Sequence, residues 1–439
     1  MEFLRRLWAT LSLNEKGTSP TSMVAMNTDS DSDLDYNKPE IWQARLRMDA
    51  ARKSFFGPMK GAELSGQPII EKSDFVNQAG DVIHIQVMTE LYGPGVTGET
   101  ELRGNEDKMS TGQFDVAVDW LRYAVAFTKK VKKQVNFDIM AQARTLISNW
   151  LGRKLDKEAF SELLTEASNT LYAGNGTSEA TLSDDDTFTT QELDKIKLAM
   201  DRLGAQPISI EGKSGQETYH YGVVISEIDE YNLRGDSKWL EAVQYAHLRS
   251  EKNPIFSGRP VEWNGLLVYT LRGVKAANCV QGSPLRPETV LYGELSAEAT
   301  TVTVGGAAAA SAGQQKQYTA FFGSTGTLKI GSEEITYTGK TYRTFTGCTR
   351  GANSTTAAIH ATGSLVTQRD VSSIIAFGSE IMALTWGQKP ERIEDKDDYG
   401  FITGVGIETL YGFQAIKDSA GNTPNYLVMK AYSKNPGSI

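Results

Sequence analysis

The sequence predicts an α+β fold with a small all-β domain inserted into it. Three observations lead there. Two alternating strands flank a long glycine-punctuated arm between residues 80 and 123. A stretch with helical period follows at 137–164. A block at 287–369 is rich in threonine, alanine and glycine and carries only short strand signals.

In chain order, residues 14–38 are polar and acidic, with TDSDSDLDY at 28–36. This composition has too little apolar surface to order itself. From Pro39 a short helix is predicted on Ile41, Trp42, Leu46 and Met48. In the first arm strand Ile83, Ile85 and Val87 alternate with His84 and Gln86. In the second, Phe114, Val116, Val118 and Trp120 alternate with Asp115, Ala117 and Asp119. This is the period of half-buried antiparallel strands. Residues 89–112 between them hold Gly93, Gly95, Gly98 and Gly104 and few large apolar side chains. Hairpin loops usually take about 2–5 residues, so an arm this long without a core is expected to rest on a neighbouring subunit.

A helix is predicted over 135–169. Phe137, Met140, Ala143, Ile147, Trp150, Leu151, Leu155 and Leu163 recur at three- and four-residue spacing, which puts Trp150 and Leu151 on the buried face. At about 1.5 Å per residue its periodic part spans roughly 40 Å. Gly152 is a candidate bend. An ordinary core helix and an assembly spine both fit this pattern. A loop at 173–188 precedes a helix at 190–203, for which Thr189 and Glu192 offer a capping box. A strand at 219–228, a helix at 238–248 and a strand at 265–274 follow. Within 287–369, TTVTV, GTLKIGSEEITYTGK, TYRTFTG and GSLVTQ read as strands between glycine turns, and GGAAAASAGQQ as a low-complexity loop. Helical periodicity is read again from Val371 in VSSIIAFGSEIMALTWG. The block therefore looks inserted at an exposed loop, where insertions are tolerated.

The 439 residues allow two or three domains, and 40% hydrophobic and 23% charged residues are ordinary for a globular chain. Forty-one glycines against 13 prolines suit many β turns. The net charge of −9 is unlike that of a free-standing nucleic-acid binder. Two cysteines, Cys279 and Cys348, exclude a disulfide framework. No apolar run reaches the roughly 20 residues of a membrane span. The start, MEFLRRLWATLSL, has no small-x-small cleavage site after it and reads as an amphipathic segment, not a signal peptide.

No catalytic or metal-binding constellation is visible. His84, His220, His247 and His360 are scattered, and neither H-E-x-x-H nor a paired C-x-x-C occurs. The TGKTY at 338–342 lacks the first glycine of a phosphate loop, Glu334 standing there. The acidic runs at 29–35 and 184–186 lack the glycine and final glutamate of a calcium loop. Lys129, Lys130, Lys132 and Lys133 form one basic cluster. It reads as a solvated turn, as a partner for Glu99, Glu101, Glu106 or Asp107 of a neighbour's arm, or as a contact to DNA.

The segment GDVIHIQVMTELYGPGVTGETELRGNEDKMSTGQFDVAVDWLRYAV resembles the extended loop of tailed-phage major capsid proteins, specifically those of the coliphage N-four type. PEIWQARLRMDAARKSFFGPMKG, WLEAVQYAHLRSEKNPIFSGRPVEWNGLLVY and DYGFITGVGIETLYGFQAIKD fit in the same order. The resemblance covers most of 39–436 outside the block. It implies the Hong Kong 97-type capsid fold: an N-terminal arm (1–75), an extended hairpin loop (76–133), peripheral and axial domains with a spine helix (134–286 and 370–439), and the inserted β domain (287–369). It implies self-assembly into hexamers and pentamers of an icosahedral shell around double-stranded DNA. Further implied partners are a portal, scaffold or cement proteins and weakly held DNA, with no cofactor, no enzyme activity and no membrane. Assembly would take place in the bacterial host cytoplasm. The subunit interface expected on this reading is Tyr92, Val96 and Leu102 along the arm, Phe114, Val118, Trp120 and Leu121 at its base, and the four lysines. The block's EITYTGKTYRTFTGCTRGANSTTAAIHATGS resembles small β modules of phage structural and tail proteins. A tail or receptor-binding protein is therefore the second hypothesis. A hydrolase is the third, for which no nucleophile–base set is visible.

Overall fold

A computed structural model describes residues 46, 50, 54–62, 65–73, 82–88, 95–98, 101, 103, 111–135, 138–211, 217–246, 261–271, 275–276, 279–280, 282–283, 285–305, 318–319, 321–418 and 421–433. Strand β1 (Ile69–Lys72) precedes a hairpin of β2 (Val82–Met88) and β3 (Thr111–Ala117). Strand β4 (Asp119–Thr128) leads into helices α1 (Lys129–Gln134) and α2 (Ile139–Thr165). Then come β5 (Thr170–Tyr172), α3 (Thr190–Leu203), β6 (Ile208–Glu211) and β7 (Glu217–Ser226). They are followed by α4 (Glu227–Gly235), α5 (Ser237–Ala246), β8 (Val261–Trp263) and β9 (Leu266–Leu271). The block contains β10 (Arg286–Val290), β11 (Thr301–Thr303), β12 (Gly326–Ile330), β13 (Glu333–Tyr337), β14 (Thr344–Thr346), β15 (Thr349–Ala352) and β16 (Leu365–Thr367). Strands β17 (Val371–Phe377), β18 (Met382–Asp397), β19 (Ile402–Ala415) and β20 (Tyr426–Tyr432) complete the order.

Two sheets build the host. One runs Lys60–Gly61, β1, β18, β19, β4, and the other runs β5, β20, β17, β7, β9, β8 with β6 on β7. Helix α2 packs its buried Ile147, Leu151, Leu155, Ala159, Phe160 and Leu163 against the first sheet. Asp138 caps its start by accepting the Met140 N–H at 2.9 Å, satisfying a donor the first turn leaves free. Asp156 on the same helix captures the segment before β1: its carboxylate accepts the Ser54 hydroxyl at 2.6 Å and the Phe55 N–H at 2.8 Å. Burial pushes the Asp156 pKa up against these hydrogen bonds. A second core gathers Leu193, Ile196 and Met200 of α3 under β7, β9, β17 and β20. Within the block, β10, β16, β12, β13 and β15 form one sheet, and β11, β14 and Gly339–Lys340 another. They enclose their own core of Val302, Leu328, Ile330, Ile335, Tyr337, Phe345 and Val366.

The structure corrects several expectations. The stretch from Val371 is not helical. β17 is buried along all seven residues, with Ile375 and Phe377 in the first core and Ile374 and Ala376 in the second. A strand sandwiched between two cores loses its alternation and imitates a buried helix. Its neighbour β7 needs Gly222, because a Cβ there would sit 2.4 Å from the Phe377 ring. Thr189 caps α3 without a side-chain bond. Glu192 instead turns inward, accepting from the Gly174 N–H at 3.2 Å and Lys195 at 3.0 Å. Capping boxes are formed instead at Ser178 with Thr181 and at Ser226 with Asp229, the latter where β7 passes into α4. The lysines form a helix of their own ahead of α2, and α2 runs unbroken through a buried Gly152. The hairpin proper ends at Ala117, since β4 belongs to the first sheet. Of the helix expected after Pro39, Leu46 and Ala50 are helical and buried; Ile41, Trp42 and Met48 lie outside the described residues.

Leu151 is buried, as expected, whereas Trp150 is half-buried and stacks on Tyr123 with ring centroids 4.0 Å apart. Trp150→Ala is therefore expected to cost about 1–2 kcal/mol, less than a fully enclosed tryptophan. A denaturant-melting loss twice that size would contradict this exposure.

Candidate functional site

Strand β4 organises the candidate interface. Its ten residues pair with β19 from Thr128↔Ile402 to Asp119↔Tyr411, and its other side pairs with no strand among the described residues. Such an edge invites another strand or must be covered. At its start Val118 interrupts the chain between β3 and β4, and the burial phase flips. Val116 is buried against Ala383 and Ile416, while Leu121, Val125 and Phe127 pack on the core and Trp120 is 53% exposed. The alternation expected to run unbroken from Phe114 to Trp120 therefore ends at Val118. The close approach of β19 to the hairpin root requires Gly412, whose Cβ would lie 2.1 Å from the Ala117 carbonyl oxygen.

The expected interface residues separate into two groups. Val118, Trp120 and Leu121 gather at the hairpin root. The four lysines are exposed on α1 at the far end of β4, about 30 Å away at strand rise. Val96 is half-buried, Phe114 lies in β3 with its side chain outside the described residues, and Tyr92 and Leu102 lie outside them altogether.

Beside Trp120 opens a cleft of about 400 Å³ between β4, β19 and α2. The Tyr411 hydroxyl donates to Glu158 on its wall, and Lys154 pairs with Glu158 at 2.6 Å. Burial, then the Glu158 charge, drives the tyrosine pKa far up, so the phenol stays a donor. Glu162 accepts from the Gln414 side chain at 3.0 Å, and burial raises its pKa. These groups satisfy one another, and no nucleophile–base pair stands among them. Among the described residues no His, Cys, Asp and Glu group could hold a metal, and no helix is long and apolar enough to cross a membrane.

At the lysine end, the Lys129 N–H donates to the Phe401 carbonyl at 2.8 Å and Thr128 caps α1 through the Val131 N–H at 3.3 Å. This joins α1 to the tip of the β18–β19 hairpin. There Asp398 and Tyr399 both have left-handed backbone (φ 49° and 50°), and Tyr399 is fully exposed.

Sequence reading missed the root of the block. Leu285 accepts from the Ser373 N–H at 2.9 Å, so the two connections leave the host side by side. Arg286 is buried there, donating to the Ser433 carbonyl at 3.0 Å and pairing with Glu288. Lys329 pairs with Asp370, and Arg369 with Glu334 at 3.3 Å. The available signal was an arginine and an acid at each composition break, Arg286 with Glu288 at one and Arg369 with Asp370 at the other.

The phage capsid protein family profile matches residues 31–169 and 162–423. The major capsid protein of Pseudomonas phage KPP25 is 20% identical over 273 residues, spanning 53% of this chain and 71% of that protein. Among solved structures, the capsid of Ralstonia phage GP4 is similar at a TM-score of 0.58, with 16% identity and 98% of each chain covered. The cyanophage Pam1 capsid asymmetric unit follows at 0.56, with 15% identity over 97% of this chain and 98% of that one. The head structure of Helicobacter pylori bacteriophage KHP40 also reaches 0.56, with 13% identity over 87% and 92%. At these identities the structural likenesses speak for the fold.

Proposed function

The chain belongs to the phage capsid protein family and is a major capsid protein of a tailed phage; from that premise we propose that it builds an icosahedral shell around double-stranded DNA by laying its 89–112 arm across a neighbouring subunit. The observation carrying this reading is the β2–β3 ribbon. It pairs in register from Val82↔Ala117 to Met88↔Thr111 and, among the described residues, has no third strand. An isolated two-stranded hairpin is marginal in water, so the ribbon gains its stability by lying on something else. An adjacent copy is the surface a shell supplies. On this reading the fold is of the Hong Kong 97 type, with α2 as the spine helix, and the sequence resembles the coliphage N-four type. Many moderate contacts repeated over hexamers and pentamers would hold the shell. The portal, scaffold or cement proteins, weak DNA contacts and assembly in the host cytoplasm belong to the same proposal. The work is geometric, without catalysis.

Residues 287–369 are proposed to be an inserted β domain standing off the outer face. Support comes from a separate core and from adjacent connections bonded at Leu285 and Ser373. Its charge is nearly balanced, six basic residues against five acidic, so it offers no strongly basic surface to packaged DNA.

The test is sedimentation and electron microscopy of the chain expressed alone, and of a variant joining Leu285 to Val371 through a glycine–serine linker. Both are expected to give large particles or capsomers. A small oligomer from the full chain would sink the assembly reading. Loss of capsomers in the linked variant alone, with the host still folded, would make the block part of the interface.

A further inference from the structure

The α1–hairpin end of the molecule carries two clusters of opposite charge for which the described residues supply no ion-pair partner. Lys129, Lys130, Lys132 and Lys133 are all exposed on a six-residue helix with no acidic residue. The β18–β19 tip beside it exposes Asp395, Asp397 and Asp398 around a single Lys396. Among the described residues none of these lysines forms an ion pair. Within the same set Asp395 and Asp397 accept only from the N–H of the next residue, at 2.8 Å each. The same two elements expose apolar groups that a solvated end has no use for: Tyr399, fully exposed, Phe401 at 43% and Val131 at 42%.

We propose that the lysine face of α1 in one copy receives the acidic, aromatic β18–β19 tip of the next copy. This rests on the assembly reading above and deepens it by naming a second contact besides the arm. The occupant is a second copy because the complementary surface is already in this chain. The two surfaces are also neighbours: the Lys129 ammonium lies 4.0 Å from where a Cβ on Gly400 would sit. A rotation axis passing just beyond this end therefore lets every copy offer its tip and accept the next one's, and the contact closes into a ring. Exposed ion pairs contribute little each. Tyr399 supplies the buried aromatic centre such a contact needs, and the charges choose partner and register. Acidic arm residues of a neighbour and DNA are the competing occupants of the lysine face, and the test separates them.

The experiment measures particle formation and melting temperature of the full chain. Changing all four lysines to glutamate, or Asp395, Asp397 and Asp398 to lysine, is expected to abolish particles without lowering the melting temperature. Combining both sets is expected to restore particles, because the charges are then exchanged across the contact. Tyr399→Ser keeps the proposal falsifiable if a charge variant fails to fold: it is expected to lose particles with unchanged melting. Particles surviving in either charge set or in Tyr399→Ser overturn the proposal. So does a combined variant that folds without assembling, which assigns the lysines to the arm or to DNA. Absence of particles from the unmodified chain overturns the assembly reading, and this proposal with it.

Discussion

Replacing Glu333 with alanine is expected to destabilise the 287–369 block by about 3–5 kcal/mol, the usual cost of leaving a buried charge without its partner. Glu333 is fully buried, and Arg350 grips it with two hydrogen bonds of 2.7 Å. The His360 ring nitrogen donates at 2.7 Å, and the N–H groups of Ala358 and Gly351 donate at 3.0 and 3.1 Å. One carboxylate thereby ties β13, β15 and the 358–360 loop together. Burial alone would raise its pKa, but the donors, Arg350 first, outweigh it and hold the carboxyl at about 2. A depressed folded-state pKa means the contribution is complete above the ordinary carboxylate range and drains away as pH falls from about 4.5 to about 2. The loss is on the order of 3 kcal/mol. Denaturant melting of the block at several pH values reads both effects. In Glu333→Gln the acid-sensitive part should vanish, and a pH profile identical to the unmodified chain would contradict the assignment.

Phe160→Ala is expected to cost the host about 3–5 kcal/mol. Its ring is fully enclosed on α2, with centroids 4.9 Å from Phe56 and 5.7 Å from Phe55. Phe56 in turn meets Phe377 of β17 at 6.3 Å. The substitution opens a cavity where the segment before β1, the long helix and the central strand converge. Leu146→Ala, on the same helix but 59% exposed, should change stability by no more than about 0.5 kcal/mol. Equal losses at the two positions in denaturant melting would mean that α2 buries a different face.

The parts legible in the sequence were those with a local period. The β2–β3 hairpin follows its alternation, and α2 follows its spacing down to Leu151 and Leu155. The family resemblance also came from sequence. Long-range pairing was not legible, because no local pattern announces that β1 will lie parallel to β18, some 310 residues later, with Ile69 beside Met382. β17 was misread for a physical reason: burial on both faces erases alternation. The phase flip at Val118 was equally invisible, since β3 and β4 join different sheets without a turn residue between them. Glu333 could have been found. It is in phase with Ile335 and Tyr337 on the buried face of β13, and a carboxylate on a core face demands a cation. The interface split because eight residues of extended strand separate Trp120 from Lys129, a distance sequence proximity conceals.

The central claim is that the arm works between copies. Electron cryo-microscopy of particles assembled from the full chain tests it most directly, by tracing residues 89–112 from the β2–β3 ribbon. The account predicts closed shells in which this segment crosses onto the adjacent subunit. A map in which it folds back on its own subunit, or a protein that yields only small oligomers, would contradict it.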